Sequence, residues 1–130
     1  MANNIRVTVL GDGGWGTALA LVNLRRGNEV MIWSAFADYA AVLKEEHENI
    51  KFLPGVKLPK DLKITSSLKE AVDFGDVLVL AIPSQYLRNV LFKIKEFSYR
   101  GKIGSTKRRQ RGHQLEYPFC SYIIVSHNIL

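Results

Sequence analysis

Cysteine is almost missing from this chain. Cys120 is the only one in 130 residues, which excludes an internal disulfide framework and suits a reducing compartment. No apolar run nears the roughly 20 residues that a bilayer-crossing helix needs. The N-terminus lacks the charged, apolar, small-residue order of a signal peptide. A cytoplasmic protein without a membrane part is expected. Histidine is also scarce: His47, His113 and His127 are scattered, with no ligand spacing around them, so no metal site is expected. No internal repeat has a solenoid period.

Acidic residues thin out toward the C-terminus. Residues 1–100 carry 13 Lys and Arg against 11 Asp and Glu, whereas residues 101–130 carry 5 against 1. Most of the net charge of +6 therefore sits in the last thirty residues, largely in "KRRQR" at 107–111. Lys107, Arg108, Arg109 and Arg111 raise the question of nucleic-acid binding. With no groove or aromatic platform beside them, a solvated tail is the better reading.

What is abundant is alternation. Ile5–Leu10 reads as a buried strand ended by glycine. The pattern from Gly14 or Trp15 to about Arg26 is helical, with Leu19, Val22 and Leu24 as its apolar side and Gly27 as its stop. Glu29–Ser34 is a second strand, and Asp38 is read as the cap of a helix reaching about Glu48. Pro54-Gly55 and Pro59 predict turns before a short strand at Leu62–Thr65. Ser67 opens and Gly75 closes a short helix. "VLVLAI" is a strand covered on both faces, and "PSQYLRNVLFKIKEF" is a helix with Leu87, Val90, Leu91 and Ile94 on one side. Tyr86 and Phe92 are assigned to the core or to a domain interface. A last strand is expected near Lys102. Strands alternating with helices predict an α/β, doubly wound, Rossmann-like parallel sheet. The domain is placed at 1–104, with a basic and apolar tail at 105–130.

The densest signal is "VTVLGDGGWGTALALVNLRRG" at 7–27. Gly11, Gly13 and Gly16 satisfy G-x-G-x-x-G directly after a strand and at the opening of a helix, the context that gives the pattern meaning. Gly11 permits the bend, Gly13 lets a pyrophosphate approach the backbone, and Gly16 lets the helix lie close to the sheet. The helix N-terminus then offers its unpaired N–H groups and positive dipole end to the phosphates. A dinucleotide cofactor, NAD or NADP, is the implied partner. The Asp12 carboxylate must point away from the phosphates or the residue must bind through its backbone, and a plain turn residue is the better reading.

Such folds usually hold the adenine ribose with an acidic residue about 20 positions on. Here that region is Trp33-Ser34-Ala35-Phe36, with neither an acid nor an arginine, so the residues do not choose between NAD and NADP. Ser34 is the candidate hydroxyl for either. Pro83 stiffens the exit from the fourth strand, where Ser84 and Gln85 either reach the nicotinamide half or simply start the next helix. Two readings also stand for Trp15: contact with the cofactor, or packing at the helix start.

Taken together, "VLGDGGWGTALA", "EVMIW", "ENIKFLPGVKLP", "ITSSLKEAV" and "VLVLAIPSQYLRNVL" resemble the N-terminal part of bacterial NAD(P)-dependent glycerol-3-phosphate dehydrogenase, collinearly over residues 5 to about 97. The "FLPGVKLP" loop makes the likeness specific. The resemblance implies hydride transfer between NAD(P)H and dihydroxyacetone phosphate or sn-glycerol 3-phosphate. It implies nucleotide contacts at Gly14, Trp15 and Phe52. It also assigns to Lys107 a contact with both cofactor and substrate phosphate. Ala35 stands where the family usually has Arg or His. Likeness ends after Thr106-Lys107, where Arg108 replaces a glycine, and residues from about 105 onward are read as the product of a shifted reading frame. The family's helical C-terminal domain and its proton-transferring lysine have no counterpart. The chain is therefore expected to be catalytically incomplete, with no catalytic residue assigned, and open to self-association through uncovered apolar surface.

Overall fold

The computed structural model describes residues 4–97 and 125–127. Its elements run β1 (Arg6–Leu10), α1 (Gly14–Arg25), β2 (Glu29–Trp33), α2 (Ala37–Glu46), β3 (Glu48–Asn49) and β4 (Leu53–Lys57). They continue with β5 (Lys63–Thr65), α3 (Leu68–Phe74), β6 (Val77–Leu80), α4 (Ser84–Phe97) and β7 (Val125–His127). The main sheet has the order β5-β2-β1-β6-β7. Its first four strands are parallel, in register Val7 with Val30 and Val7 with Val77. The chain winds outward from β1 to β2 through α1 and from β2 to β5 through a connection that contains α2, then crosses back through α3 to place β6 on the other side of β1. Helices cover both faces, as the alternation in the sequence implies.

Side chains alternate across the sheet, and each face has its own core. Val7, Val9, Val30, Ile32, Val77 and Val79 point toward α1 and α2, where Ala20, Ala40 and Leu43 meet them. Leu10, Met31, Trp33, Leu78 and Leu80 point the other way, onto Leu68 and Val72 of α3 and Val90 and Ile94 of α4. The β-branched face receives the helix with the smallest contact residues: Gly16, Thr17 and Ala20 are the buried positions of α1. Thr8 lies on the other face, fully buried, and its hydroxyl donates to the Ala71 carbonyl at 2.7 Å.

Several local signals act as expected. Gly27 takes φ +89° after α1. Its N–H donates to the Leu24 carbonyl and that of Asn28 to the Asn23 carbonyl, the two bonds of a Schellman ending. Ser67 caps α3 by accepting from the Glu70 N–H at 3.3 Å. Leu87, Val90, Leu91 and Ile94 form the inner side of α4.

Other expectations are corrected. Val22 is 53% exposed, because Ala20 and Thr17 occupy the face that meets the sheet. Phe36, in extended backbone, precedes α2, which places Asp38 in the first turn rather than at the cap. The stretch expected to be turns forms a two-stranded antiparallel unit of β3 and β4, with Gly55 at φ +83°. Tyr86 and Phe92 are each more than half exposed and belong to neither core, which removes the core half of their assignment and leaves the domain-interface half. The fifth place in the sheet is taken by β7, antiparallel to β6 with Val77 opposite His127. The strand expected near Lys102, and Lys107 itself, lie outside the described residues.

Candidate functional site

The turn from β1 into α1 sits where the sheet's winding reverses, between the C-terminal ends of β1 and β6. Ligands of open α/β sheets bind at such a point. Gly11 leaves β1 at φ +132°, a conformation open to glycine. A β-carbon there would run into the Ala81 carbonyl at the exit of β6. One at Gly16 would strike the Gly11 carbonyl and come within 3.3 Å of the Ala81 side chain. These two glycines bring helix, turn and strand into contact, as the sequence implies.

Gly13 differs. A β-carbon at this position meets nothing within 4 Å. The residue is the N-cap of α1, and no side chain caps that end. The first amides of a helix have no partner within it, and no acidic residue stands in the first turn. Open space therefore lies beside uncapped donors at the positive end of the helix dipole, a setting that fits a pyrophosphate. Trp15 is 57% exposed on the same turn, so packing at the helix start leaves its ring unaccounted for.

Gly14 serves another neighbour. Its β-carbon would lie 2.6 Å from the Phe52 carbonyl oxygen, so this glycine admits the β3–β4 loop over the helix end. Phe52 is itself 46% exposed and packs edge-on against Tyr39, with ring centres 6.0 Å apart. The Lys51 ammonium lies 5.2 Å from the Phe52 ring centre.

Asn49 ties this loop to the glycine turn and was not identified as a site residue from the sequence. It is completely buried. Its amide nitrogen donates to the Asp12 carbonyl at 2.7 Å and to the Thr17 hydroxyl at 2.9 Å. Its amide oxygen accepts from the Tyr39 hydroxyl and, at 3.3 Å, from the Phe52 N–H. An asparagine just before an apolar, proline-bearing loop was the available signal. Phe52 is three residues further along the same loop, whereas Asp12 and Thr17 of the glycine-turn segment and Tyr39 of α2 lie farther off in sequence, which spacing does not reveal.

Asp12 and Ser34 also depart from expectation. Asp12 is no plain turn residue: its carboxylate accepts from the Ser34 hydroxyl at 2.6 Å. Ser34 is fully buried, which withdraws it as a direct contact for the ribose. Its hydroxyl oxygen also lies 3.4 Å from the Phe36 N–H, bracing the bend after β2. Pro83 is exposed at the mouth of β6, and its carbonyl accepts from the Tyr86 N–H at 2.9 Å. Gly11, Gly13, Gly14, Trp15, Phe52 and Pro83 thus come from three loops at the C-terminal end of the sheet.

A parallel sheet wound on both faces, with an uncapped glycine turn at its reversal point, defines a Rossmann domain of the NAD(P)-binding type. Comparison with known proteins narrows this class. The family model described as NAD-dependent glycerol-3-phosphate dehydrogenase N-terminus matches residues 6–106, and the chain belongs to that family. It is 44% identical over 98 residues to a glycerol-3-phosphate dehydrogenase (NAD(P)+) of Agathobacter rectalis, covering 75% of this chain and 29% of that one. With the Bacillus subtilis enzyme of the same name it shares 49% identity over 86 residues, 66% of this chain and 25% of the relative. Among solved structures, glycerol-3-phosphate dehydrogenase from Coxiella burnetii aligns with TM-score 0.68 and 32% identity, over 72% of this chain and 29% of that one. The yeast Saccharomyces cerevisiae enzyme aligns with TM-score 0.64 and 29% identity, over 73% and 31% respectively. The chain spans less than a third of the length of the curated relatives it matches.

Proposed function

We propose that this chain is the nucleotide-holding part of a glycerol-3-phosphate dehydrogenase and binds NAD(H) or NADP(H) across the Gly11–Gly16 turn. One observation carries the reading: Gly11, Gly14 and Gly16 have protein against the place a side chain would fill, whereas Gly13 has open space. A purely structural turn has no need of that fourth glycine. The uncapped amides of α1 take the pyrophosphate, and the exposed Trp15 stands in the same first turn.

A nicotinamide held by Gly11, Gly13, Gly14 and Trp15 would supply the hydride chemistry that interconverts dihydroxyacetone phosphate and sn-glycerol 3-phosphate. The carbonyl oxygen also needs a proton donor within hydrogen-bond reach, and no residue of this chain matches the family's lysine for that task. The chain's own residues grip and orient the nucleotide. Binding without turnover follows.

Titration of the chain with NADH and NADPH, read by tryptophan fluorescence, tests the grip, because exposed Trp15 stands on the binding turn. Steady-state NADH oxidation with dihydroxyacetone phosphate tests turnover. Saturable binding with no oxidation is expected. Absence of binding by either nucleotide overturns the proposal, and sustained oxidation overturns the claim that the chain is catalytically incomplete.

A further inference from the structure

We infer that the Asp12 carboxylate, delivered from the glycine turn and held by the Ser34 hydroxyl, receives the hydroxyls of the cofactor's adenine ribose and makes the site select NAD(H) over NADP(H). This rests on the nucleotide-binding reading above and adds to it a specificity-determining residue that the sequence did not disclose.

Dinucleotide folds place an acidic side chain at the end of the second strand to hold the ribose diol. This chain has Ser34-Ala35 there and no acid. The structure supplies the carboxylate from the turn that follows the neighbouring strand β1. Asp12 lies 22 residues before Ser34, yet its Oδ2 stands 2.6 Å from the Ser34 hydroxyl, at the C-terminal end of β2. Ser34 is fixed in turn, because its N–H donates to the Thr65 carbonyl at 2.8 Å and extends the sheet by one bond. The root of Asp12 is fixed as well, since its carbonyl accepts from Asn49 at 2.7 Å. A serine hydroxyl thus positions a carboxylate at the end of a strand that lacks one.

The carboxylate is partly exposed, and the following Ala35, Phe36 and Ala37 are exposed too. Its Oδ1 has no hydrogen-bond donor among the described residues. An ionised carboxylate only accepts, and a ribose diol offers two donors, so the two groups match. A 2′-phosphate brings only negative charge to the same place. No Lys or Arg lies within 34–38 to receive it, and Asp38 in the first turn of α2 adds a second carboxylate.

Isothermal titration calorimetry of the full chain with NADH and with NADPH, for wild type, Asp12→Asn and Ser34→Ala, provides the test. The wild type is expected to bind NADH at least about tenfold more tightly than NADPH, as like-charge juxtaposition requires. The gap should narrow as salt is raised. Asp12→Asn keeps the shape and removes the charge, so NADPH binding should strengthen and NADH binding weaken until the two converge. Ser34→Ala leaves the carboxylate but frees it, and the preference should fall part of the way; a role in folding alone would change both affinities equally. Far-ultraviolet circular dichroism confirms that each variant is folded. Equal wild-type affinities, or an Asp12→Asn variant that keeps the wild-type ratio, overturn this inference while the nucleotide-binding reading stands. Failure of the wild type to bind either nucleotide overturns both.

Discussion

The side-chain amide of Asn49 donates to the main-chain carbonyl of Asp12 at 2.7 Å, joining residues 37 apart in sequence. Through this bond the β3–β4 loop holds the glycine turn from above. The amide has four partners: the Asp12 carbonyl, the Thr17 hydroxyl, the Tyr39 hydroxyl and the Phe52 N–H. All of this lies at a position with no solvent exposure.

Asn49→Ala strips those partners at once and leaves buried polar groups unpaired. Destabilisation of about 2–4 kcal/mol is expected from the usual cost of such groups. Asn49→Asp should be at least as harmful, because it keeps the acceptor, loses the donor and buries a charge against the Asp12 carbonyl. Urea denaturation followed by circular dichroism measures both. A loss below about 1 kcal/mol in Asn49→Ala, the net worth of a single ordinary hydrogen bond, contradicts the proposed tie.

The glycines of the turn should separate into two kinds. Gly16→Ala forces a methyl onto the Gly11 carbonyl and the Ala81 side chain, so a loss of about 1–3 kcal/mol is expected from overpacking. Gly13→Ala meets no atom and changes only the helix cap, costing under about 1 kcal/mol. The same Gly13→Ala methyl enters the space assigned to the pyrophosphate, so NADH affinity should fall sharply while the thermal midpoint barely moves. Stability loss at both positions alike contradicts this division.

Ser67 offers a cleaner local measurement. Its hydroxyl accepts from the Glu70 N–H at 3.3 Å at the start of the seven-residue helix α3. Ser67→Ala should cost about 1 kcal/mol and Ser67→Gly only a few tenths. Thermal denaturation of the two variants side by side resolves the difference. Equal effects point to a role other than capping.

Tyr39 links stability to high pH. Burial pushes its phenol above the ordinary value, the Asp12 charge adds to the rise, and a hydrogen bond with the Lys51 backbone opposes it. The folded chain therefore holds this proton more tightly than the unfolded chain, which releases it near pH 10. The resulting stability is fully present below about pH 10 and is lost as pH climbs through the raised folded value. Tyr39→Phe removes the group, so its stability should fall less steeply than the wild type's between about pH 9 and pH 11. Urea titrations across that window decide the matter, and parallel curves count against the assignment.

How far the sequence carries depends on the range of the interaction. Strand and helix positions were legible because they rest on neighbours a few residues apart: β-branched runs, Gly27 after α1, and Ser67 before Glu70. The same is true of Gly11, Gly13 and Gly16, whose spacing after a strand carries its own physical meaning. Val22 was misplaced because a helix with Gly16 and Ala20 on one side buries its smallest residues, and apolar pattern alone does not rank size above hydrophobicity. The β3–β4 pairing was hidden by Pro54 and Gly55, which read locally as turn formers.

The sequence by itself determined the alternation of strands and helices, the glycine turn and the family. Each is written in local spacing and in the composition of short segments. Only the tertiary structure decided which side chains share the mouth of the sheet. Asp12 finds Ser34 because the parallel strands β1 and β2 end side by side, whereas Asn49 finds Thr17 and the Phe52 carbonyl settles over Gly14 because the separate β3–β4 unit lies against the start of α1. Hydrogen bonds of that kind depend on distances across the fold, and the linear order of residues does not record them.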